Sequence, residues 1–135
     1  MKLPTDLQIL NAIYEQYCDT FLLFDRNDPD RDSKIYVPVD SKLIGGQLVV
    51  DPNIVFGRLY YHLDHKHGYT KSDGTLVHFF ALRVGGDVQC VNFPLLASVL
   101  ADLRDDDRRQ LKTRRIAWAS LAIAIASVAI YVVIR

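Results

Sequence analysis

Residues 49–67 read VVDPNIVFGRLYYHLDHKH, and the placement of the fold turns on them. Asp51 followed by Pro52 is a strong helix start. The aspartate accepts from the first free N–H groups, and proline at the first helical position forfeits no hydrogen bond. Val55, Phe56, Leu59, Tyr60 and Leu63 then recur at three- and four-residue spacing. This predicts a helix from Asn53 to about Lys66 with those five side chains buried and Gly68 at its end. Before it, Val49–Val50–Asp51 is a three-residue turn. SKLIGGQL (41–48) is a short helix opened by Asp40 or Ser41 and weakened by Gly45 and Gly46.

Outward from this pair the pattern continues in both directions. Leu7, Leu10, Ala12, Ile13, Tyr14, Tyr17, Phe21 and Phe24 describe an amphipathic first helix, capped by Thr5 or Asp6. Residues 25–34 form a polar, Pro-containing loop, and Ile35–Val39 a short edge strand interrupted by Pro38. Two β-rich runs, Leu76–Val84 and Val88–Phe93, flank Gly85–Gly86–Asp87 and predict a hairpin. Pro94 opens a last helix with Leu95, Leu96, Val99, Leu100 and Leu103 on one face.

The resulting α+β order is helix, short strand, two helices, hairpin, helix. It resembles the winged helix-turn-helix superfamily over about residues 5–103, on the short turn before Asp51–Pro52, the long helix after it and the hairpin. The resemblance implies Asn53–Lys66 as recognition helix and Leu76–Phe93 as wing.

Charge divides the chain. Residues 1–110 hold 12 Lys and Arg against 16 Asp and Glu, whereas residues 111–135 hold four cations and no acid. From Ile116 to Ile134 there are 19 uncharged residues, about 28 Å of helix, close to the ~30 Å hydrocarbon core of a bilayer. Trp118 and Tyr131 lie near the two ends, at interfacial positions. The organisation expected is a domain at 1–103, a charged juxtamembrane segment at 104–115 and a transmembrane helix at 116–134. Lys112, Arg114 and Arg115 precede the span and Arg135 alone follows it, so the folded part is expected in the cytoplasm. The start of the chain shows no signal-peptide pattern, and the span reads as a C-terminal, single-pass anchor. Small residues on two faces of the span (Ser120, Ala124, Ser127; Ala122, Ala126, Ala129) admit a homodimer through it.

The net-acidic domain disfavours nucleic acid as a partner, since phosphate attraction dominates DNA affinity and the wing tip adds Asp87. On an α-helix, Arg58, Tyr61, His62 and His65 fall at offsets 0, 3, 4 and 7, a polar-aromatic stripe of the kind that anchors protein interfaces. HLDHKH (62–67) places His62 and His65 at a metal-compatible spacing, but His67 points elsewhere and no Cys or carboxylate pair completes a set. No metal and no cofactor is expected; the patch otherwise offers only titration near neutrality. Cys18 and Cys90 read as small core residues, and a Cys90–His78 dyad lacks orienting and oxyanion groups. Neither glycine pair has the sequel of a phosphate loop, and the Asp clusters lack calcium-loop spacing. The expectation is a non-enzymatic membrane protein that recruits a cytoplasmic protein partner. The alternatives are a membrane-anchored DNA-binding regulator and a small membrane-active effector that oligomerises through its span.

Overall fold

Thr5 begins the first helix, α1 (Asp6–Leu22), with a reciprocal cap: Gln8 N–H donates to Thr5 Oγ1 at 3.1 Å and Thr5 N–H to Gln8 Oε1 at 2.9 Å. Ile9, Leu10 and Ile13 carry its buried face, and Phe24 lies past its end. The computed structural model describes all residues, 1–135. After α1 come β1 (Tyr36–Pro38), α2 (Ser41–Leu48) and a helical rod made of α3 (Pro52–Gly57), a π-helical turn (Arg58–Leu63) and α4 (Asp64–His67). Then follow β2 (Tyr69–Thr70), β3 (Leu76–Val77), β4 (Phe80–Val84), β5 (Asp87–Asn92) and α5 (Phe93–Ile134). The architecture is α+β. A three-stranded antiparallel sheet runs in the order β1-β5-β4, and β2 and β3 form a separate two-stranded ribbon. The chain divides into two compact units, Met1–Ala101 and Asp102–Arg135.

The α2–α3 corner forms as its residues dictate. Asp40 and Asp51 cap the two helices, each accepting from the backbone N–H two residues on at 2.8 Å. Val49 between them is left-handed (φ 56°), and Val50 N–H closes the end of α2 on the Gly45 carbonyl at 2.9 Å. Gly45 does more than weaken α2. A Cβ there would stand 2.8 Å from the Val50 carbonyl and 3.3 Å from Pro52, so its absence admits the start of α3. Gly46 faces open space.

The expected helix 53–66 is present as a rod, but its middle is a π turn in which Asp64 N–H donates to the Leu59 carbonyl, five residues back. The reason lies in the buried residues Val55, Leu59 and Leu63. At about 100° per residue, each step of four would carry the apolar face roughly 40° around an α-helix. The wider turn keeps all three on the core. The correction falls on Phe56, which is only half-buried, and on Tyr60, which is exposed.

The expected strand Leu76–Val84 is broken. Asp64 Oδ1 accepts from Phe79 N–H at 2.9 Å and from Phe80 N–H at 3.1 Å, which turns both rings inward and ends the ladder. Only Phe80–Val84 pairs with β5, while Leu76–Val77 pairs back to Tyr69–Thr70. Gly68 ends the rod with extended backbone (φ −63°, ψ 151°), not the left-handed cap that glycine usually supplies. It is glycine for space, since a Cβ would lie 2.6 Å from the Asp64 carbonyl.

Alternation along β5 also fails. Gln89 is left-handed (φ 53°), which rotates the chain so that Cys90, Val91 and Asn92 are all buried while Val88 is exposed. Cys90 therefore does not share a face with Val88. Asn92 Oδ1 accepts from Leu95 N–H at 3.2 Å and opens α5, whose Leu96, Val99 and Leu100 are buried. Beyond them α5 has no buried residue, and it is long and apolar enough to cross a membrane, with a mean hydropathy of 2.3 over its most apolar stretch.

Loop 25–34 is tied to the fold at defined points, although most of its residues are exposed. Asp32 Oδ2 accepts from Gly86 N–H, and Asp87 Oδ2 accepts from Asp32 N–H at 2.8 Å, so the loop sits on the β4–β5 turn. Arg31 is buried beside it. Its guanidinium donates to the Thr20 carbonyl (3.1 Å), the Lys34 carbonyl (3.0 Å) and Asp30 (2.9 Å), and lies 4.8 Å from the centre of the Phe24 ring. These three oxygens take up protons of its two terminal nitrogens and offset the cost of a charge at this depth, while its Nε is buried without a partner.

Candidate interaction surface

The π turn decides where the polar-aromatic stripe goes. Arg58 and His62 turn toward the start of α1, where Arg58 donates to Asp6 Oδ1 at 2.9 Å and His62 Nε2 lies 3.2 Å from Asp6 Oδ2. Burial alone would raise the Asp6 carboxyl, but these hydrogen bonds and charges more than offset it and hold the group below its ordinary value. The Arg58 side chain is only 22% exposed. Arg58 and His62 thus fasten α1 to the rod, and a partner would meet little of the guanidinium.

Tyr61, His65 and the far side of His62 remain outside, Tyr61 at 74% exposure. Tyr61 stands at the end of an aromatic ladder. Its ring meets Tyr60 edge-on at 4.8 Å, Tyr60 stacks on Phe56 at 5.5 Å, and Phe56 meets the buried Phe80 edge-on at 5.8 Å. These spacings lie in the range of favourable aromatic pairs, so an exposed ring is braced by three others reaching into the core. Sequence reasoning missed Tyr60 and Phe56 as members of this surface because it placed both on the buried face. The signal available was the run of aromatic residues at 56, 60 and 61.

On the other side of the rod a shallow depression is lined by Asp64, His65, Gly68, Tyr69, Leu76 and His78 among others. His78 Nδ1 lies 3.4 Å from Asp64 Oδ2. Asp64 is already engaged by the Phe79 and Phe80 amides, so its place here is architectural. His67 packs against Phe79 (5.5 Å between ring centres); burial, then the nearby Lys66, depresses its basicity. No three His, Cys, Asp or Glu side chains converge as a metal set. Cys90 is fully buried, and burial followed by the charge of Asp87 pushes its thiol up to about 11. Its cross-strand partners are Ala81 and Pro38, and His78 turns to Asp64 instead.

In the second unit, Lys112, Arg114, Arg115, Trp118 and Tyr131 are all exposed along α5. Arg135 lies over the Tyr131 ring at 5.9 Å. Ser127 donates its hydroxyl to the Ile123 carbonyl at 2.9 Å, which occupies its one donor within its own helix.

No family model, curated protein or solved structure matches this chain.

Proposed function

We propose that this protein is a membrane-tethered, non-enzymatic interaction module. A winged-helix-like cytoplasmic domain is held at the bilayer by residues 116–134 and recruits a protein partner. The observation that carries the reading is the braced ladder Phe56–Tyr60–Tyr61, exposed at its two tyrosines, on a chain whose last helix is long and apolar enough to span a membrane. Rigid aromatic side chains bind with little loss of conformational freedom and are enriched at interface centres. Confinement to a bilayer raises the effective concentration of any partner also found there, so a small patch suffices.

The α2–α3 corner supports the winged-helix part. Two short capped helices meet through a three-residue turn with a left-handed residue at Val49 and glycine at the closest approach, and a β-hairpin follows. The cations before the span support a cytoplasmic orientation. DNA binding is the weaker reading. Loop 25–34 is hydrogen-bonded to the β4–β5 tip that would act as wing, and both Asp32 and Asp87 lie there. A membrane-active effector would use the alanine-rich faces of the span, on which Ser127 is already bonded within its own helix.

Photo-crosslinking from position 61 in the full-length protein in its membrane tests the proposal. A discrete protein adduct, lost when Tyr60 and His65 are replaced by alanine, supports recruitment. A nuclease-sensitive adduct would instead favour the tethered regulator. A self-adduct alone, with membrane leakage blocked by bulky residues at Ala124, would favour the effector.

A further inference from the structure

The acids of α5, with Arg104 among them, all lie farther from the apolar span than the cations of residues 108–115. Asp102, Asp105, Asp106 and Asp107 come first, and residues 108–115, RRQLKTRR, carry five cations and no acid. Both groups lie on one continuous helix, so at about 1.5 Å per residue the cations stand roughly 1.5 to 12 Å from Ile116 and the acids roughly 13 to 21 Å. A headgroup layer is about 5 to 8 Å deep on each side of the hydrocarbon. Lys112, Thr113, Arg114 and Arg115 are therefore at headgroup depth, Arg108 and Arg109 lie just above it, and every acid lies outside.

Within this belt Arg109, Gln110, Thr113 and Arg114 line a depression on the helix surface. Two guanidinium forks, a hydroxyl and a carboxamide present only donors or adaptable groups. Planar forks match phosphate oxygens two at a time. Arg109 has a partner in Asp105 at 3.0 Å, but both are well exposed, and such a pair yields readily to a competing anion. Four residues past Arg114, exposed Trp118 enters the apolar span, so the depression ends where acyl chains begin.

We infer that residues 108–115 bind the phosphate-bearing headgroup of anionic phospholipids in the leaflet they enter. Arg109, Thr113 and Arg114 contact the phosphate, and Lys112 and Arg115 add charge. This rests on the bilayer reading above and goes beyond it, because a topological role asks only for positive charge at this end, whereas a headgroup site asks for forks and a hydroxyl in one place.

Trp118 is the sole tryptophan and reports on the lipid beside the site. Full-length protein is reconstituted in phosphatidylcholine vesicles containing equal fractions of either brominated phosphatidylglycerol or brominated phosphatidylcholine, and quenching of Trp118 is measured. One cation near an anionic surface is worth about fivefold, so the anionic lipid should quench at least about fivefold more effectively. The preference should fall severalfold in R109Q/R114Q, with Arg108, Lys112 and Arg115 keeping part of it. It should weaken clearly in R109K/R114K, which keeps the charge but loses the forks. Equal quenching by both lipids overturns the headgroup site and leaves the span standing. Quenching by neither overturns the span and the site together. A preference unchanged in R109K/R114K and T113V reduces the belt to diffuse charge and overturns the inference.

Discussion

Gly45 and Gly46 are neighbours in α2, and replacing each by alanine should change stability in opposite directions. Neither has positive φ, so both backbones accept a Cβ, and in a helix interior alanine is worth about 0.8–1 kcal/mol over glycine. At Gly46 nothing lies within 4 Å of the new atom, so that gain should appear nearly whole. At Gly45 the Cβ meets the Val50 carbonyl at 2.8 Å and Pro52 Cα at 3.3 Å, all backbone atoms of a capped corner. Forcing them apart costs about 1–3 kcal/mol, as overpacking does elsewhere, and it strains the Val50–Gly45 hydrogen bond. G45A should be destabilised by up to about 2 kcal/mol net and G46A stabilised by about 0.5–1 kcal/mol. For a domain of this size that difference should separate the two melting temperatures by several degrees. Near-UV circular dichroism in detergent micelles follows this unit, because six of the seven tyrosines lie in it. If G45A melts at or above the wild-type temperature, the close approach of α3 to α2 is not what the glycine serves.

D6N removes the charge that holds Arg58 and His62, and should cost about 1–2 kcal/mol at neutral pH, allowing for partial exposure. Because the folded carboxyl titrates below its ordinary 3.8, the contribution is present above that value and lost as pH falls through the lower folded one. Wild type and D6N should therefore converge in urea midpoints in acid, and a gap that persists there would contradict the ion-pair account. R31A strands the Thr20 and Lys34 carbonyls and should destabilise by about 2–3 kcal/mol. Trypsin should then cut at Arg26 faster than in wild type, and an unchanged rate would mean that the loop is held by Asp32 and Asp87 alone. Y61A should leave stability within about 0.5 kcal/mol while abolishing partner capture. F56A, which removes the brace, should cost about 2–3 kcal/mol in the same melts; equal losses in both variants would refute the division between brace and contact.

Several features were legible because they depend on neighbours along the chain. The caps at Thr5, Asp40 and Asp51, the β4–β5 turn at Gly85–Gly86 and the apolar run after Ile116 all formed where local chemistry placed them. One local signal went unread. Asp73–Gly74 closes the ribbon between Thr70 and Leu76, with Gly74 at φ +88° and Asp73 accepting from Thr75 N–H at 2.9 Å. The stripe Arg58–Tyr61–His62–His65 was drawn on an α-helix, and the π turn that divides it answers to burial across the core, which spacing alone does not encode.

The sequence by itself determined the α+β class, the helix starts and the division between an acidic folded unit and a basic, apolar helix. Caps, turn residues and hydrophobic runs act over three or four residues, or through composition. Tertiary structure alone decided the fate of the charged side chains that reach across the fold. Asp64 breaks a strand fifteen residues away, Asp6 claims Arg58 across fifty-two, and Asp32 bonds the hairpin tip across fifty-four. A carboxylate in the sequence looks the same whether it is solvated or bonded. Which oxygen finds which donor depends on distances that exist only once the core has closed.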